Sequence, residues 1–546
     1  MILITSLFWY LFLWFHSNYV RCIGELESFW QQMILFLQGG MYMAQINVAN
    51  LTFSYEGSFD NVFENMSFSI DTNWKLGFVG RNGKGKTTFL NILLGKYQYS
   101  GTISKNAVFD YFPYEISEKM YTLCASEFLI DLKPDCEEWK VVCELDKLNA
   151  SAELLYRPFG SLSHGERTKV YLAILFSGEN DFLLIDEPTN HLDQEARSVV
   201  KEYLISKKGF ILVSHDRDLL DACIDHILVI NRKSLDIQSG NFSSWWENKR
   251  RNDQFFESEN EKHLREIAAL KRSADQTNRW AQKSESSKIG FDPVKEHDRS
   301  IASRSFIGAK TKKMQKRVKQ YEQRLQKEIE EKEGLLQDIE NPSILKMNTL
   351  KYHKNTLVYA KDLSIKYGVD SPAVLQNFEF EIKQGERVFL HGKNGCGKST
   401  FLNVILSCCE KNIFLQTGTL EVGAGLVISY INQDTSFLHG NIKQFCMEKK
   451  LEESLFCALL RQLDMERVQF AKQFEEFSEG QKKKVLIAAS LMTPAHIYIW
   501  DEPLNYIDVF TRMQIEDLLL AYSPTMILVD HDIHFQEKIA TRVVEM

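Results

Sequence analysis

Hydrophobic residues along this chain follow two periods, and the pattern occurs twice. In the first half an alternating run from Ile46 to Phe53 and the stretch Phe68 to Ile70 predict strands, and Leu76 to Val79 is an apolar strand entering a glycine loop. Further apolar runs, Phe182–Ile185 and Phe210–Val213, have counterparts in the second half at Ile497–Trp500 and Met526–Val529. Apolar strands separated by helical patterns predict a parallel, helix-covered sheet. Between the halves the period changes. Residues from about Trp245 to Ser287 are polar with sparse apolar positions (Phe255, Leu264, Ile267, Leu270, Ala274), which predicts an exposed helix. From about Ala309 to Ile339 a second helix places Met314, Val318, Tyr321 and Leu325 at steps of four and three, a narrow coiled-coil-like seam. Ile289-Gly-Phe-Asp-Pro293 cannot continue a helix, and Pro342 ends the second one. The expectation is an antiparallel helical hairpin turning between about Lys288 and Arg304. A helix of ~40 residues would project ~60 Å at 1.5 Å per residue.

These patterns divide the chain into four parts. Residues 1–42 form an apolar leader, residues 43–243 a first domain, residues 244–347 the helical linker and residues 348–546 a second domain. The leader's run from Phe8 to Phe15 lacks a basic start and is short for a membrane span of about 20 residues. A cryptic anchor, a loose appendage and translation from an upstream start codon all fit it. The last is preferred, because Met43 directly precedes the first strand, and the leader is then not part of the native fold. No other run approaches a membrane span.

The chemistry is duplicated along with the pattern. Gly80-Arg-Asn82-Gly83-Lys-Gly85-Lys86-Thr87-Thr88 has its counterpart in Gly392-Lys-Asn394-Gly395-Cys-Gly397-Lys398-Ser399-Thr400. Ser163-His-Gly165-Glu166 corresponds to Ser478-Glu-Gly480-Gln481, Asp186-Glu187 to Asp501-Glu502, and His215 to His531. From loop lysine to acidic-pair glutamate the separation is 101 residues in one copy and 104 in the other, which means duplicated domains rather than a short repeat. A glycine loop between a strand and a helix lets backbone N–H groups turn around phosphates and adds the helix dipole. Lys86 and Lys398 would then hold the β- and γ-phosphates of ATP, while Thr87 and Ser399 offer hydroxyls to Mg²⁺. Asp186 and Asp501 would join the Mg²⁺ shell, and Glu187 and Glu502 would position or deprotonate the attacking water. A lone Asp-Glu pair after a strand is more often an ordinary strand end, and a lone histidine there is more often structural. The fixed order of the whole set, present twice, outweighs both readings.

Charge alters the picture only locally. The chain carries a formal −8, yet residues 271–320 hold fourteen Lys/Arg against five Asp/Glu, a net of +9. Such a run is commonly a solvated helix face. The ten cysteines are scattered without metal-site or disulfide spacing, which suits a reducing cytoplasm.

With Ser163-His-Gly165-Glu and Ser478-Glu-Gly480-Gln resembling signature loops, the chain resembles the ATP-binding-cassette ATPases everywhere except the leader and linker. The resemblance implies an α/β fold: two tandem P-loop cassettes joined by a long antiparallel α-helical hairpin. It further implies a monomer with intramolecular head-to-tail pairing of the cassettes. One ATP would lie between the Lys86 loop and the Ser478 loop, the other between the Lys398 loop and the Ser163 loop. Gly165, Glu166, Gly480 and Gln481 belong to those loops; His215 and His531 would contact the γ-phosphate, and Asp193 and Asp508 would lie across the interface. Tyr55 and Tyr367 resemble the adenine-stacking aromatics, with strand packing an equal alternative. Gln433 matches the Mg²⁺-contacting glutamine, whereas Tyr114 takes that place in the first repeat. His164 and Glu479 replace the signature's first glycine, and Leu504-Asn-Tyr506 replaces Thr189-Asn-His191. The two sites are therefore expected to be unequal.

Two cassettes, no membrane span and a basic hairpin resemble the ABC-F subfamily, soluble ATPases of the ribosomal exit-site region whose linker reaches the P-site tRNA. The stretch from Asn47 through Tyr55-Glu-Gly to Gly83 is similar to the Lsa-type resistance members. These protect ribosomes from lincosamide, pleuromutilin and streptogramin A antibiotics. The expectation is an ATPase using ATP and Mg²⁺, ribosome-associated in the cytoplasm, with rRNA and P-site tRNA as partners and no obligate membrane partner. Arg279, Trp280, Lys283, Lys288, Phe291, Arg304 and Phe306 would meet RNA at the linker tip, although the aromatics fit packing between the helices equally well. A housekeeping translation factor, the ATPase subunit of a drug exporter and a DNA-repair-type ATPase are the competing readings.

Overall fold

The computed structural model describes residues 45–55, 61–104, 107–134, 136–178, 181–190, 192–230, 235–286, 316, 319–321, 323–324, 327, 346–366, 372–393, 395–407 and 415–546. Two compact units result: residues 1–242 with 345–546, and residues 243–344. The leader, the hairpin turn and most of the second linker helix lie outside the described residues. So do Tyr367, Asn394, Lys288, Phe291, Arg304, Phe306 and His191.

In the first half the strands are β1 (Gln45–Phe53), β2 (Phe63–Asp71), β3 (Lys75–Gly80), β4 (Ser100–Ser104) and β5 (Val108–Phe112), then β6 (Asp181–Asp186), β7 (Phe210–Val213), β8 (His226–Ile230) and β9 (Leu235–Ser239). Six of them form a sheet in the order β5-β6-β7-β3-β8-β9, parallel except for the β8–β9 pair. The expected parallel sheet is thus present, but a second layer accompanies it. β1 pairs antiparallel with both β2 and β4 in a three-stranded sheet. Its alternation reflects one face packed on a core and one facing solvent, the pattern of antiparallel sheets. The core lies between the two sheets, where Ile46, Leu51 and Ile70 meet Phe78, Phe89, Leu184 and Ile211.

The second half repeats this arrangement with β10 (Thr356–Lys366), β11 (Leu375–Lys383), β12 (Arg387–His391), β13 (Leu415–Val422), β14 (Ile428–Ile431), β15 (Ile497–Asp501), β16 (Met526–Val529) and β17 (Arg542–Glu545). Its parallel sheet runs β14-β15-β16-β12-β17, beside the antiparallel set β11-β10-β13. In both halves the strand ahead of the glycine loop, β3 or β12, sits inside the parallel sheet. Its neighbour β7 or β16 carries the histidine, and the next strand, β6 or β15, ends in the acidic pair. Three chemistries therefore emerge along one edge of each sheet, at the carboxyl ends of adjacent strands, where open α/β sheets bind ligands.

The linker unit is described mainly by the helix Phe242–Ser286, which starts three residues earlier than the pattern suggested. Its 45 residues span ~68 Å at 1.5 Å per residue. Phe255 and Leu264 are exposed on it, as is Arg279. Trp280 and Lys283 fall within the helix, and their side chains are not described.

Candidate active sites

Each glycine loop is set by backbone conformations that only glycine adopts without strain. Gly83 and Gly85 have φ of 80° and 92°, and Gly395 and Gly397 have 84° and 106°. At Gly85 a Cβ would also stand 2.6 Å from Val62 Cγ1. The helices Lys86–Leu93 and Lys398–Ser407 begin at the loop lysines. Lys86 Nζ donates to the carbonyls of Gly80 at 2.7 Å and Arg81 at 3.3 Å, and Lys398 Nζ to those of Gly392 and Lys393 at 2.7 and 2.9 Å. Both ammonium groups thus lie inside their own loops. Burial pushes the Lys86 ammonium below its usual range, against the pull of Asp508, Glu187 and Asp186.

The acidic pairs stand opposite. Thr87 Oγ1 donates to Asp186 Oδ2 at 3.0 Å, and Ser399 bonds Asp501 in the same way. Burial raises both aspartates above the usual carboxylate range. Burial and the neighbouring Asp186 push Glu187 up to about 8, and Glu502 is raised by burial and Asp501. Both glutamates adopt left-handed backbone, φ 53° and 47°, as the chain leaves the strand. His215 Nε2 lies 3.4 Å from Glu187 Oε1, and His531 Nε2 lies 3.8 Å from Glu502 Oε1. Burial, helped by nearby Lys86 and Arg512, drives His215 well below its ordinary value; burial with Arg197 and Lys398 brings His531 down to about 4. Both imidazoles are neutral at pH 7 and can donate or accept at a phosphate oxygen.

The signature serines cap the helices His164–Phe176 and Glu479–Met492. Ser163 Oγ accepts from Glu166 N at 3.2 Å, and Ser478 Oγ accepts from Gln481 N at 3.3 Å. Each hydroxyl therefore keeps its own proton for an external acceptor. Glu166 and Gln481, expected among the ATP contacts, instead close the capping boxes by accepting from Ser163 N at 2.7 Å and Ser478 N at 3.1 Å. Their side chains fix the loop.

Both loops meet the opposite half of the chain. Asn82 Nδ2 donates to Tyr506 O at 2.7 Å, and a Cβ on Gly480 would lie 3.3 Å from that nitrogen, so the Ser478 loop faces the Lys86 loop. A cavity of about 570 Å³ is lined by His164 and Arg197 from the first half and by Lys398, Ser399, Thr400, Gln433, Glu502 and His531 from the second. A second cavity of about 390 Å³ is lined by Tyr55, Asn82, Lys86, Thr87, Thr88, Asp186 and His215. Asp508 is fully buried and takes Lys484 Nζ at 3.1 Å; burial alone would raise it, but Lys484 and the Thr511 N–H hold it well below the usual range. Asp193 caps the helix Gln194–Ile205.

The sites differ where the sequence departs between copies. Gln433 Nε2 donates to Glu502 Oε2 at 2.8 Å. Tyr114, at the matching place, turns its hydroxyl onto Asp110 Oδ2 at 2.6 Å. Tyr111, which sequence reasoning passed over, reaches the acidic pair, with its hydroxyl 3.1 Å from Asp186 Oδ2. Tyr111 lies on β5, where alternation turns it to the face opposite its neighbours Asp110 and Phe112, whereas Tyr114 lies beyond the strand's end. Tyr55 is half exposed, packs edge-on against Phe53 and bonds Thr88 Oγ1 at 2.6 Å, which ties it to the loop helix.

The donor set suits a nucleotide with Mg²⁺. Glu187 Oε1, Asp501 Oδ1 and His531 Nε2 are buried and make no hydrogen bond, although His215 Nε2 stands 3.4 Å from the first. Each site offers one hydroxyl and one aspartate, and no cluster of three metal-ligating side chains occurs among the described residues. One hydroxyl and one aspartate at each site are hard oxygen donors that Mg²⁺ would accept beside phosphate and water.

A family model described as ABC transporter matches residues 63–190 and again 375–505. The chain carries ATP-binding-cassette domains in two copies. Both matched stretches contain a complete glycine loop, signature loop and acidic pair, so this ABC protein is an ATPase with two cassettes. The ribosome protection protein VmlR of Bacillus subtilis (strain 168) is 27% identical over 498 residues, covering 89% of this chain and 84% of that protein. The ATP-binding protein Uup of Buchnera aphidicola subsp. Acyrthosiphon pisum is 28% identical over 522 residues, covering 92% and 80%. Among solved structures, archaeal ribosome recycling factor aABCE1, in complex with ribosomal stalk protein aP1, aligns with a TM-score of 0.56 at 20% identity. That alignment covers 91% of this chain and 87% of the other, a likeness of fold. Among the described residues of this ABC ATPase, no helix is long and apolar enough to cross a membrane.

Proposed function

We propose that this ABC ATPase binds the ribosome when its cassettes close on two ATP molecules. There it protects the peptidyl-transferase centre from lincosamide, pleuromutilin and streptogramin A antibiotics. The observation that carries this reading is the similarity to a ribosome protection protein across 89% of the chain. The local +9 of residues 271–320 supports it, because an extended cationic element follows RNA phosphates. The linker residues Arg279, Trp280, Lys283, Lys288, Phe291, Arg304 and Phe306 would act near the P-site tRNA, and binding would fall in the exit-site region of cytoplasmic ribosomes.

At each site the loop N–H groups and lysine would cradle the phosphates. Thr87 with Asp186, and Ser399 with Asp501 and Gln433, would hold Mg²⁺, which supplies charge neutralisation at the phosphates. Glu187 and Glu502 would orient water, and neutral His215 and His531 would bond the γ-phosphate. Ser163 and Ser478 would donate their remaining protons across the interface. Closure favoured by ATP and reopening after hydrolysis is a ligand shifting a two-state equilibrium through differential binding.

The test is antibiotic susceptibility of a host expressing residues 43–546, beside a variant lacking residues 288–304. Full-length linker should raise tolerance to the three drug classes and the deletion should abolish the gain. Unchanged susceptibility with normal expression would refute protection. Replacing Glu187 and Glu502 together by Gln should hold the protein on ribosomes in an ATP pelleting assay. A housekeeping translation role predicts that same trapping with no change in drug tolerance.

A further inference from the structure

The two ATP sites are held together by different means. On the flank of the Lys86 site, four residues of the first cassette reach the second. Arg81 pairs with Asp464 at 2.8 Å, with side chains only 19% and 15% exposed. Lys84 pairs with Glu466 at 2.8 Å, and Asn82 bonds the Tyr506 carbonyl at 2.7 Å. Arg217, two residues after His215, places both terminal nitrogens on Glu516, which is fully buried and also takes Lys538 at 3.0 Å.

The flank of the Lys398 site is built otherwise. Among the described residues its one cross-cassette ion pair is Lys393 with Glu195 at 2.7 Å, with side chains 78% and 70% exposed. The positions matching the buried pair have lost it. Glu516 lies eight residues after Asp508, and eight after Asp193 stands Lys201, which pairs within its own cassette to Asp218 at 2.7 Å. Two residues after His531 stands Ile533, where the other copy has Arg217, and Cys396 stands where the other copy has Lys84. Exposed pairs contribute little to association. A close, desolvated charge pair across an interface can couple strongly, and its loss acts mainly on the off-rate.

We propose that Arg217, Glu516, Arg81 and Asp464 are positioning residues that keep the Ser478 loop seated on the Lys86 loop between turnovers. Opening is then a swing about this flank, which frees the Lys398 site first. The Lys86 site exchanges nucleotide slowly and the Lys398 site exchanges it fast. The proposal needs only the two-cassette ATPase and is independent of the ribosomal reading.

Release of a fluorescent ATP analogue from the full chain, chased with unlabelled ATP and Mg²⁺, tests this. Two phases differing at least about tenfold in rate are expected, since affinity differences at related interfaces reside mainly in off-rates. A Lys398→Ala chain should keep the slow phase and a Lys86→Ala chain the fast one. Arg217→Ala with Glu516→Ala should speed the slow phase about tenfold and leave the fast phase unchanged, while Arg217→Lys, which keeps the charge but loses the two-pronged bond, should speed it less. If the double variant does not fold, Arg81→Gln with Asp464→Asn, at a partly exposed pair, carries the same expectation. A single phase in the parent chain, a slow phase assigned to the Lys398 site, or a slow phase indifferent to these changes in folded protein would overturn the proposal.

Discussion

Replacing each signature glycine by alanine should affect the two sites very differently. A Cβ at Gly480 would stand 2.5 Å from the Tyr506 carbonyl oxygen and 3.3 Å from Asn82 Nδ2. The obstacle is backbone, held by the 2.7 Å bond from Asn82, and cannot step aside cheaply. Overpacking of this kind costs about 1–3 kcal/mol, and the lost Asn82 bond adds about 0.5–1.5 kcal/mol. Together, at about 1.5–4.5 kcal/mol, they weaken nucleotide binding at the Lys86 site by roughly tenfold to a thousandfold. At Gly165 the new methyl would find Leu192 Cδ2 at 3.7 Å and Ala196 Cβ at 3.9 Å, ordinary contacts. Alanine is also better than glycine inside a helix by up to about 1 kcal/mol. Gly165→Ala should therefore shift binding at the Lys398 site by less than about fivefold. Fluorescent-nucleotide titration reads the first effect in a Lys398→Ala chain and the second in a Lys86→Ala chain. Equal losses at the two sites would refute the reasoning, because the nucleotide's own crowding against the glycine would then outweigh the Tyr506 contact.

Three further outcomes follow from the site geometry. Tyr111→Phe removes a bond to buried Asp186, worth about 1.5–3 kcal/mol to a charged group; the Mg²⁺ needed for half-maximal nucleotide binding at the Lys86 site should rise about tenfold or more, and an unchanged Mg²⁺ titration would show the hydroxyl to be idle. His531, brought down to about 4, is neutral in the fold and protonates more readily when unfolded, so its contribution is intact above its ordinary value near 6.5 and is lost as pH falls toward 4. His531→Gln should accordingly gain about 2 kcal/mol on the parent at about pH 5 and nothing at about pH 8 in denaturant unfolding, and a gap that does not vary with pH would dismiss the buried neutral imidazole. Lys484→Met strands buried Asp508 and should cost about 3–5 kcal/mol of stability, with much of it recovered by adding Asp508→Asn; a double variant as unstable as the single one would mean that packing, not charge, is at stake.

What could be read from the chain alone was whatever depends on local order. Glycines before a lysine, carboxylates after an apolar run and a histidine after another strand define chemistry over a few residues, and the parallel sheet brings them to one edge. The antiparallel β2-β1-β4 layer was not legible, because alternation identifies a half-buried strand without naming its partner. Tyr114 was assigned by its place after β5, yet the face of the strand decides the contact, and Tyr111 has the reach. Glu166 and Gln481 read as ligand contacts because their motif recurs, whereas their spacing from serine is also that of a capping box. The pairing of Arg217 with Glu516 was out of reach: 299 residues separate them, and only the meeting of helices from the two cassettes brings them together.

Glu187 and Glu502 occupy a backbone region that side chains with a Cβ avoid, at a penalty of about 1–3 kcal/mol each. Glycine at either place would relieve that tension and remove a desolvated carboxylate as well. A chain disabled in this way should outlast its active parent on heating. Natural selection on such a molecule would then face a standing temptation toward hardy, inert copies, which only the demand for turnover holds in check.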